Sequence, residues 1–331
     1  MKNGLVVVAG GGGFIGGHLV ARLREQGYER IRSVDVKPLD DWYQRFDDVD
    51  SRQLDLRRFE DCDRAVDGAS EVYNLAADMG GMGFIENNKA LCMLSVLINT
   101  HLLMASREAA VEKFFFSSSA CVYAADKQVT THLDDGLREE DAYPAMPEDG
   151  YGWEKLFSER MCRHYREDFG MHTRMARYHN IYGPHGTWDG GREKAPAAIC
   201  RKMIQAKLSG KHEIEIWGDG EQTRSFTYID DCLEGTQRLM HGDVTEALNV
   251  GSDQMVSINQ LVDIVEKIAG LKVRRNYNLD APKGVRGRNS NNERIQKLLG
   301  WAPAIRLEDG MAKTYAWIYD EIKRGATSKA Y

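Results

Sequence analysis

The chain has few of the features that would staple it covalently or hold it in lipid. Its 331 residues include six cysteines, at positions 62, 92, 121, 162, 200 and 232, none in a Cys-x-x-Cys pair. That spacing leaves no readable zinc site, so no metal is expected, and it fits a reducing compartment better than a disulfide framework. There is no block of like charge: 44 Lys+Arg stand against 50 Asp+Glu, a net charge of −6. Nucleic acid or an acidic membrane is thereby disfavoured as the main partner, although a few local cations could still hold a small anion. The uncharged run from Asn3 to Ala21 carries seven glycines and a histidine, too weakly apolar for the core of a secretory signal. No other stretch reads as a bilayer span, and the expectation is a soluble, cytoplasmic protein. Internal repeats and low-complexity tracts are also missing.

A hydrophobic fraction of 42% with 28% charged residues is ample for a buried core, and the length suggests two domains. The first half alternates short apolar strands with helical spacing. Leu5–Ala9 is a continuous apolar run, as a strand covered on both faces should be, and Phe14–Gln26 follows with helical periodicity and stops at Gly27. Further strands are expected at 31–36, 52–56, 71–75, 113–117 and 173–178, with helices at 88–108 and 151–169. Such alternation predicts parallel β-α-β units in a Rossmann-type doubly wound α/β sheet over residues 1–180. Residues 124–150 are polar and acidic and read as a long loop over a site. The mixed elements of 181–331 predict a smaller α/β substrate lobe over the sheet's C-terminal edge, with some C-terminal segments returning to the first domain.

Gly10, Gly13 and Gly16 stand at the first strand-to-helix turn, where glycine lets backbone approach a pyrophosphate at a helix N-terminus. Alone, such a triplet is equally a tight turn without a ligand. Asp35 ends the second strand about twenty residues on, placed to accept from a ribose 2′-hydroxyl and to repel a 2′-phosphate, so NAD is expected rather than NADP. Asp55 and Leu56 follow the third strand and could border the adenine.

The Gly-x-x-Gly-x-x-Gly spacing resembles the short-chain dehydrogenase/reductase superfamily. Leu75-Ala76-Ala77 after the fourth strand, Ser117-Ser118-Ser119 after the fifth, and Tyr151-x-x-x-Lys155 match its extended, NAD-dependent sugar epimerase branch. The long blocks MGGMGF (79–84), SSACVY (118–123), HNIYGPHGTWDGGREKAPAA (179–198), WGDGEQTRSFTYID (217–230), LNVGSDQMVS (248–257) and GVRGRNS (284–290) narrow the resemblance to the GDP-mannose 3,5-epimerase family. The resemblance implies tightly bound NAD, regenerated each turnover and contacted by Gly10, Gly13, Phe14, Ile15, Gly16, Asp35, Asp55, Leu56, Leu75, Ala76, Ala77, Tyr151, Lys155 and Tyr178. It also implies a GDP-sugar touched by Gly80, Ser119, Cys121, Tyr151, Asn180, Glu193, Lys194, Ala195, Lys202, Gln222, Thr223, Arg224 and Arg286. Arg288 is a further candidate for the diphosphate. A homodimer through the 88–108 and 151–169 helices is the family's common arrangement.

On a helix, residues four apart share a face, so Lys155 is expected beside Tyr151, drawing the phenol pKa from about 10 toward neutrality. A Tyr/Lys pair at that spacing is otherwise an ordinary solvated face. The resemblance makes Tyr151 the base for a sugar hydroxyl, with Ser119 on the same oxygen, and makes Cys121 and Lys194 an epimerising acid/base pair. Inverting a carbon calls for a base on one face and a donor on the other. Nearby cations are expected to favour the Cys121 thiolate. Alternatives in the same branch are a GDP-fucose-synthase-like enzyme, associated with NADPH and a histidine at the Lys194 position, and a UDP-sugar 4-epimerase needing no Cys/Lys pair. Ala124 and Phe116-Ser117 depart from the plant members, which carry Pro and Tyr-Ala there. The ratio of C5-only to C3,C5 products (GDP-L-gulose or GDP-L-galactose) stays open.

Overall fold

The computed structural model describes residues 3–132 and 135–325. Its centre is a seven-stranded, wholly parallel sheet. Six strands come from residues 5–178: β1 (Leu5–Ala9), β2 (Ile31–Asp35), β3 (Asp50–Gln53), β4 (Ala69–Asn74), β5 (Lys113–Ser119) and β6 (Thr173–Tyr178). Across the sheet the order is Leu248–Val250, β6, β5, β4, β1, β2, β3. The direction of winding reverses at β1/β4, and ligands of such sheets lie beyond the strand ends at that reversal. β1 is buried at every residue, as its unbroken Leu-Val-Val-Val-Ala run requires of a strand covered on both faces.

Helix Phe14–Glu25 buries Leu19, Val20 and Leu23 against the sheet and ends where Gly27 takes a left-handed φ of 80°. The third strand lies at 50–53 rather than the expected 52–56. Polar Asp50-Ser51-Arg52-Gln53 forms this exposed edge because its ladder with β2 holds it there, with Arg32 bound to the Asp50 carboxylate at 2.8 Å; Leu54 and Leu56 instead turn inward beyond it.

The apolar stretch 88–108 is two helices, Lys89–Met93 and Ser95–Glu108. Contrary to the expectation that nothing here could span a bilayer, Lys89–Glu108 is long and apolar enough to do so by length and composition. In the structure both helices pack against Asp149–Phe169, with Asn99, Leu102, Leu103 and Ala105 buried.

Beyond residue 180, three small sheets stand over the C-terminal ends of β1, β4 and β5. They pair Ile181–Tyr182 with Thr227–Tyr228, Glu213–Trp217 with Arg274–Asn278, and Thr223–Ser225 with both Met255–Ser257 and Gly287–Arg288. Leu248–Val250 extends the main sheet beside β6.

Candidate active site

A cleft of about 640 Å³ runs from the first strand-helix turn, across the ends of β4 and β5, to the small sheets. At its cofactor end, Gly10 adopts φ 84° and its amide donates to Val34 O. A Cβ on Gly10 would lie 2.9 Å from the Ala76 nitrogen, and one on Gly16 would lie 2.1 Å from Gly10 O. Both clashes are with backbone, so this turn accepts only glycine there. Helix Phe14–Glu25 begins at Gly13 without a side-chain cap, leaving its first amides to face the cleft. Asp35 closes this end, its Oδ1 accepting from the Lys37 amide at 3.1 Å; burial pushes its carboxyl pKa up, against the pull of Lys37 and nearby amides. A bare glycine turn, free helix amides and a carboxylate at the end of β2 form a cradle that fits a dinucleotide. Among the described residues no cluster of His, Cys, Asp or Glu could hold a metal ion.

Midway, β5 delivers Ser119 to the floor of the cleft. Its hydroxyl accepts from the Cys121 amide at 3.2 Å, turning the chain so that Cys121 enters the cleft two residues later. Tyr151 and Lys155 project from Asp149–Phe169 and are both buried. The Lys155 Nζ lies 5.6 Å from the Tyr151 ring centroid, 4.7 Å from that of Phe116, and 3.7 Å from the Glu154 carboxylate.

The expected lowering of the phenol pKa is not seen. Burial pushes Tyr151 well above 10, with Cys121 and Glu154 adding to the rise and only Ser119 opposing it. The reason is burial of the phenol, which the spacing of Tyr151 and Lys155 does not reveal, with Cys121 and then the Glu154 carboxylate adding to it.

Cys121 has the fullest electrostatic surroundings. Arg288 Nη1 donates to its Sγ at 3.5 Å, and Arg288 Nη2 donates to the Glu148 carboxylate at 2.8 Å. Cations were expected to favour the thiolate. Burial and the Glu148 charge instead push the thiol up to about 11, outweighing the opposite pull of Arg288. Lys194 caps helix Ala195–Ser209 from a loop pinned by Arg192, which binds Asp78 at 2.6 Å and lies over the Phe84 ring. Burial pulls the Lys194 ammonium pKa down, while Cys121 and Cys232 act to raise it.

At the far end Arg224 is partly buried, donates among the described residues to the Thr223 and Lys283 carbonyls, and is pulled down to about 10 by desolvation and by Arg288. A guanidinium that lines a cleft without a direct carboxylate partner there can hold an anion. Lys202 donates to Glu215 O, Gln222 to Trp217 O, and Asn180 (φ 44°) to Ser225 O.

Nearly every residue singled out from the sequence lines this one cleft. Two do not. Arg286, expected to bind the diphosphate, is half-exposed and forked onto the Asp219 carboxylate at 3.0 Å, and Thr223 donates its hydroxyl to Thr131 O. Arg224 and Arg288 stand opposite each other on paired strands and face inward together, whereas Arg286 lies just outside its strand, where Asp219 holds it. Glu148 and Glu154 were missed. Glu148 lies in what reads as an acidic loop; its one signal is an acid three residues before the tyrosine of a Tyr-x-x-x-Lys helix.

Comparison with known proteins agrees with this geometry. Residues 6–251 match the model of the NAD dependent epimerase/dehydratase family. The chain belongs to that family. It is 45% identical to GDP-mannose 3,5-epimerase 1 of Oryza sativa subsp. japonica over 323 residues, covering 97% of this chain and 83% of the rice protein. It is also 45% identical to GDP-mannose 3,5-epimerase of Arabidopsis thaliana over 325 residues, 98% of this chain and 84% of that one. Among solved structures, MoeE5 in complex with UDP-glucose and NAD superposes with TM-score 0.79 at 27% identity, covering 96% of this chain and all of that one. UDP-glucose 4-epimerase of Thermotoga maritima shares the fold at TM-score 0.84 and 24% identity, over 96% and 99% of the two chains. The cofactor of this family member is NAD, and the cradle at Gly10–Gly16 and Asp35 is where its residues fit one.

Proposed function

We propose that the protein is an NAD-dependent isomerase that inverts C3 and C5 of GDP-mannose, giving GDP-L-galactose, GDP-L-gulose or both. The observation that carries this reading is the entry of Cys121 and Lys194 into the same cleft as Ser119, Tyr151 and Lys155, with the thiol and the ammonium electrostatically coupled. A 4-epimerase acting on a nucleotide sugar has no use for the first pair. A reductase like GDP-fucose synthase would be expected to carry histidine at position 194.

Bound NAD supplies a reversible two-electron acceptor at C4 of the hexose. Tyr151, held by Ser119, takes the proton of the C4 hydroxyl, and its high intrinsic pKa in the bare site demands a compensating positive charge nearby. Lys155 supplies part of that charge from within the same helix. With C4 a ketone, the hydrogens on C3 and C5 lie next to a carbonyl and can be removed as protons. Cys121 removes the proton from one face and Lys194 returns one to the other, so the carbon inverts. Arg224 offsets the diphosphate charge, with Lys202 and Gln222 further along the cleft, whereas Arg288 is taken up by Gln128, Cys121 and Glu148. Roles for Gly80, Asn180, Glu193 and Ala195 as substrate contacts follow from their place on its wall.

The same reading includes a homodimer. Trp153 and Phe157 on one helix, and Leu91, Met93, Leu94 and Leu97 on the pair packed against it, are exposed apolar side chains without cover. A cytoplasmic setting is supported by six free, buried cysteines. The primary test is GDP-mannose in D₂O with no cofactor added, read by NMR. Deuterium at C3 and C5 with new GDP-hexose signals is expected; no exchange at either carbon, with NAD bound, would sink the assignment.

A further inference from the structure

We infer that Glu148 is the proton acceptor of Cys121, receiving the thiol proton so that the sulfur is recharged for each carbon-acid step. This rests on the reading of Cys121 as the group that works at C3 and C5. Glu148 does so as a positioning residue, acting through the sulfur.

Three side chains form the device. The Arg288 guanidinium turns one nitrogen, Nη1, to the Cys121 sulfur at 3.5 Å and the other, Nη2, to the Glu148 carboxylate at 2.8 Å. Its Nε is fixed at 2.6 Å on Gln128 Oε1, and the Gln128 amide is held in turn by the Tyr123 and Ala124 carbonyls. Arg288 therefore cannot swing away. The Glu148 amide donates to Cys121 O at 2.8 Å, so the loop and the cysteine turn are docked backbone to backbone. Cys121, Arg288 and Glu148 are all largely buried. The other groups facing Cys121 are Arg224, Lys194, Tyr151 and Ser119.

The transfer balances. The S–H bond breaks, an O–H bond forms on the carboxylate, and no electrons change hands. Before it, thiol, carboxylate and guanidinium sum to zero; after it, thiolate, carboxylic acid and guanidinium also sum to zero. Negative charge moves only from one side of a fixed cation to the other, which is why a buried site can allow it. The need is equally physical. Each inversion leaves a proton on the sulfur that must leave before a second inversion, and the Glu148 carboxylate is a base already hydrogen-bonded to that thiol.

The experiment uses the enzyme as purified, with its NAD. Deuterium wash-in at C3 and C5 of GDP-mannose is measured for wild type, Glu148→Gln and Glu148→Asp, alongside the pH dependence of iodoacetamide alkylation, with Cys121→Ala as the blank. The amide introduced by Glu148→Gln keeps the size and can still bond Arg288, but cannot take the proton. Wash-in in E148Q is expected to fall by about a hundredfold or more. Alkylation should meanwhile become faster at a given pH, because Arg288 is left uncompensated beside the sulfur. E148D should recover part of the exchange. Exchange in E148Q equal to or faster than wild type would overturn the inference. So would parallel loss of exchange and alkylation without recovery in E148D, which would mean that Glu148 only holds Arg288 in place. Exchange that survives Cys121→Ala would instead sink the underlying reading of Cys121.

Discussion

Cys121 and Lys194 each have a pKa shifted toward the neutral form, one up to about 11 and the other below the usual lysine value, both chiefly by burial. The proposed inversion uses them as thiolate and ammonium, so the sign of the pH dependence follows. The thiolate fraction grows as pH rises, while the ammonium fraction shrinks. Deuterium wash-in against pH should therefore be bell-shaped, with an acid limb lost through Cys121 and an alkaline limb lost through Lys194, and with apparent values belonging to the coupled pair. A flat profile from about pH 6 to 10 would contradict this. Cys121→Ala and Lys194→Ala should each abolish exchange while bound NAD, read from the absorbance of the denatured protein's supernatant, stays in place. Tyr151→Phe should slow product formation by roughly 10² to 10⁴ with NAD likewise retained.

At the scale of elements, two glycines decide where the helices sit. Gly152, in the first turn of Asp149–Phe169, would place a Cβ 2.3 Å from Cys121 O and 3.1 Å from the Pro147 Cβ. The Gly152→Ala variant must push the helix and the cysteine turn apart, at a cost of about 1–3 kcal/mol. Exchange is expected to drop at least tenfold while NAD is largely retained, since the glycine turn and Asp35 lie on elements that the clash does not touch. Gly16→Ala is the converse. Its Cβ would meet Gly10 O at 2.1 Å, so the variant is expected to purify without NAD and with a lower Tm. NAD-replete Gly16→Ala protein would show that the turn has more room than the structure gives it.

Two consequences belong to the whole molecule. The uncovered apolar face of Lys89–Glu108 and Asp149–Phe169 should be where two copies meet; sedimentation velocity of Trp153→Glu/Phe157→Glu against wild type is expected to turn a dimer into a monomer. Acid sensitivity is the second. His179 is fully buried and neutral, its Nε2 2.8 Å from Asn249 Oδ1, with its pKa pulled down to about 3 by burial. A folded value below the unfolded 6.5 means that the unfolded chain binds the extra proton. This contribution is therefore intact above about pH 6.5 and declines as pH falls toward 3, by roughly 1.4 kcal/mol per pH unit. His18 and His185, also pulled down by burial, act in the same direction. The Tm should fall between about pH 7 and 5; a rise over that range would contradict the burial of these rings.

What the sequence determined by itself is what short-range physics can read. The apolar run of β1, the glycine turn after it, the acid closing β2, and a tyrosine and lysine one helical turn apart each carry their reason within a few residues. Strand ends set by pairing were less legible: Asp50–Gln53 has no apolar signal and is a strand because β2 holds it. Which arginines face the cleft was beyond the sequence too, because Arg224 and Arg288 come together only through the pairing of Thr223–Ser225 with Gly287–Arg288. Only the tertiary structure brought Glu148 and Arg288, 140 positions apart, into contact with each other beside one sulfur. It alone showed that burial, with Cys121 and Glu154 close by, raises the phenol that Lys155 was expected to lower. Electrostatics in a buried site depends on every charge within a few ångströms, whatever its distance along the chain, and folding decides which charges those are.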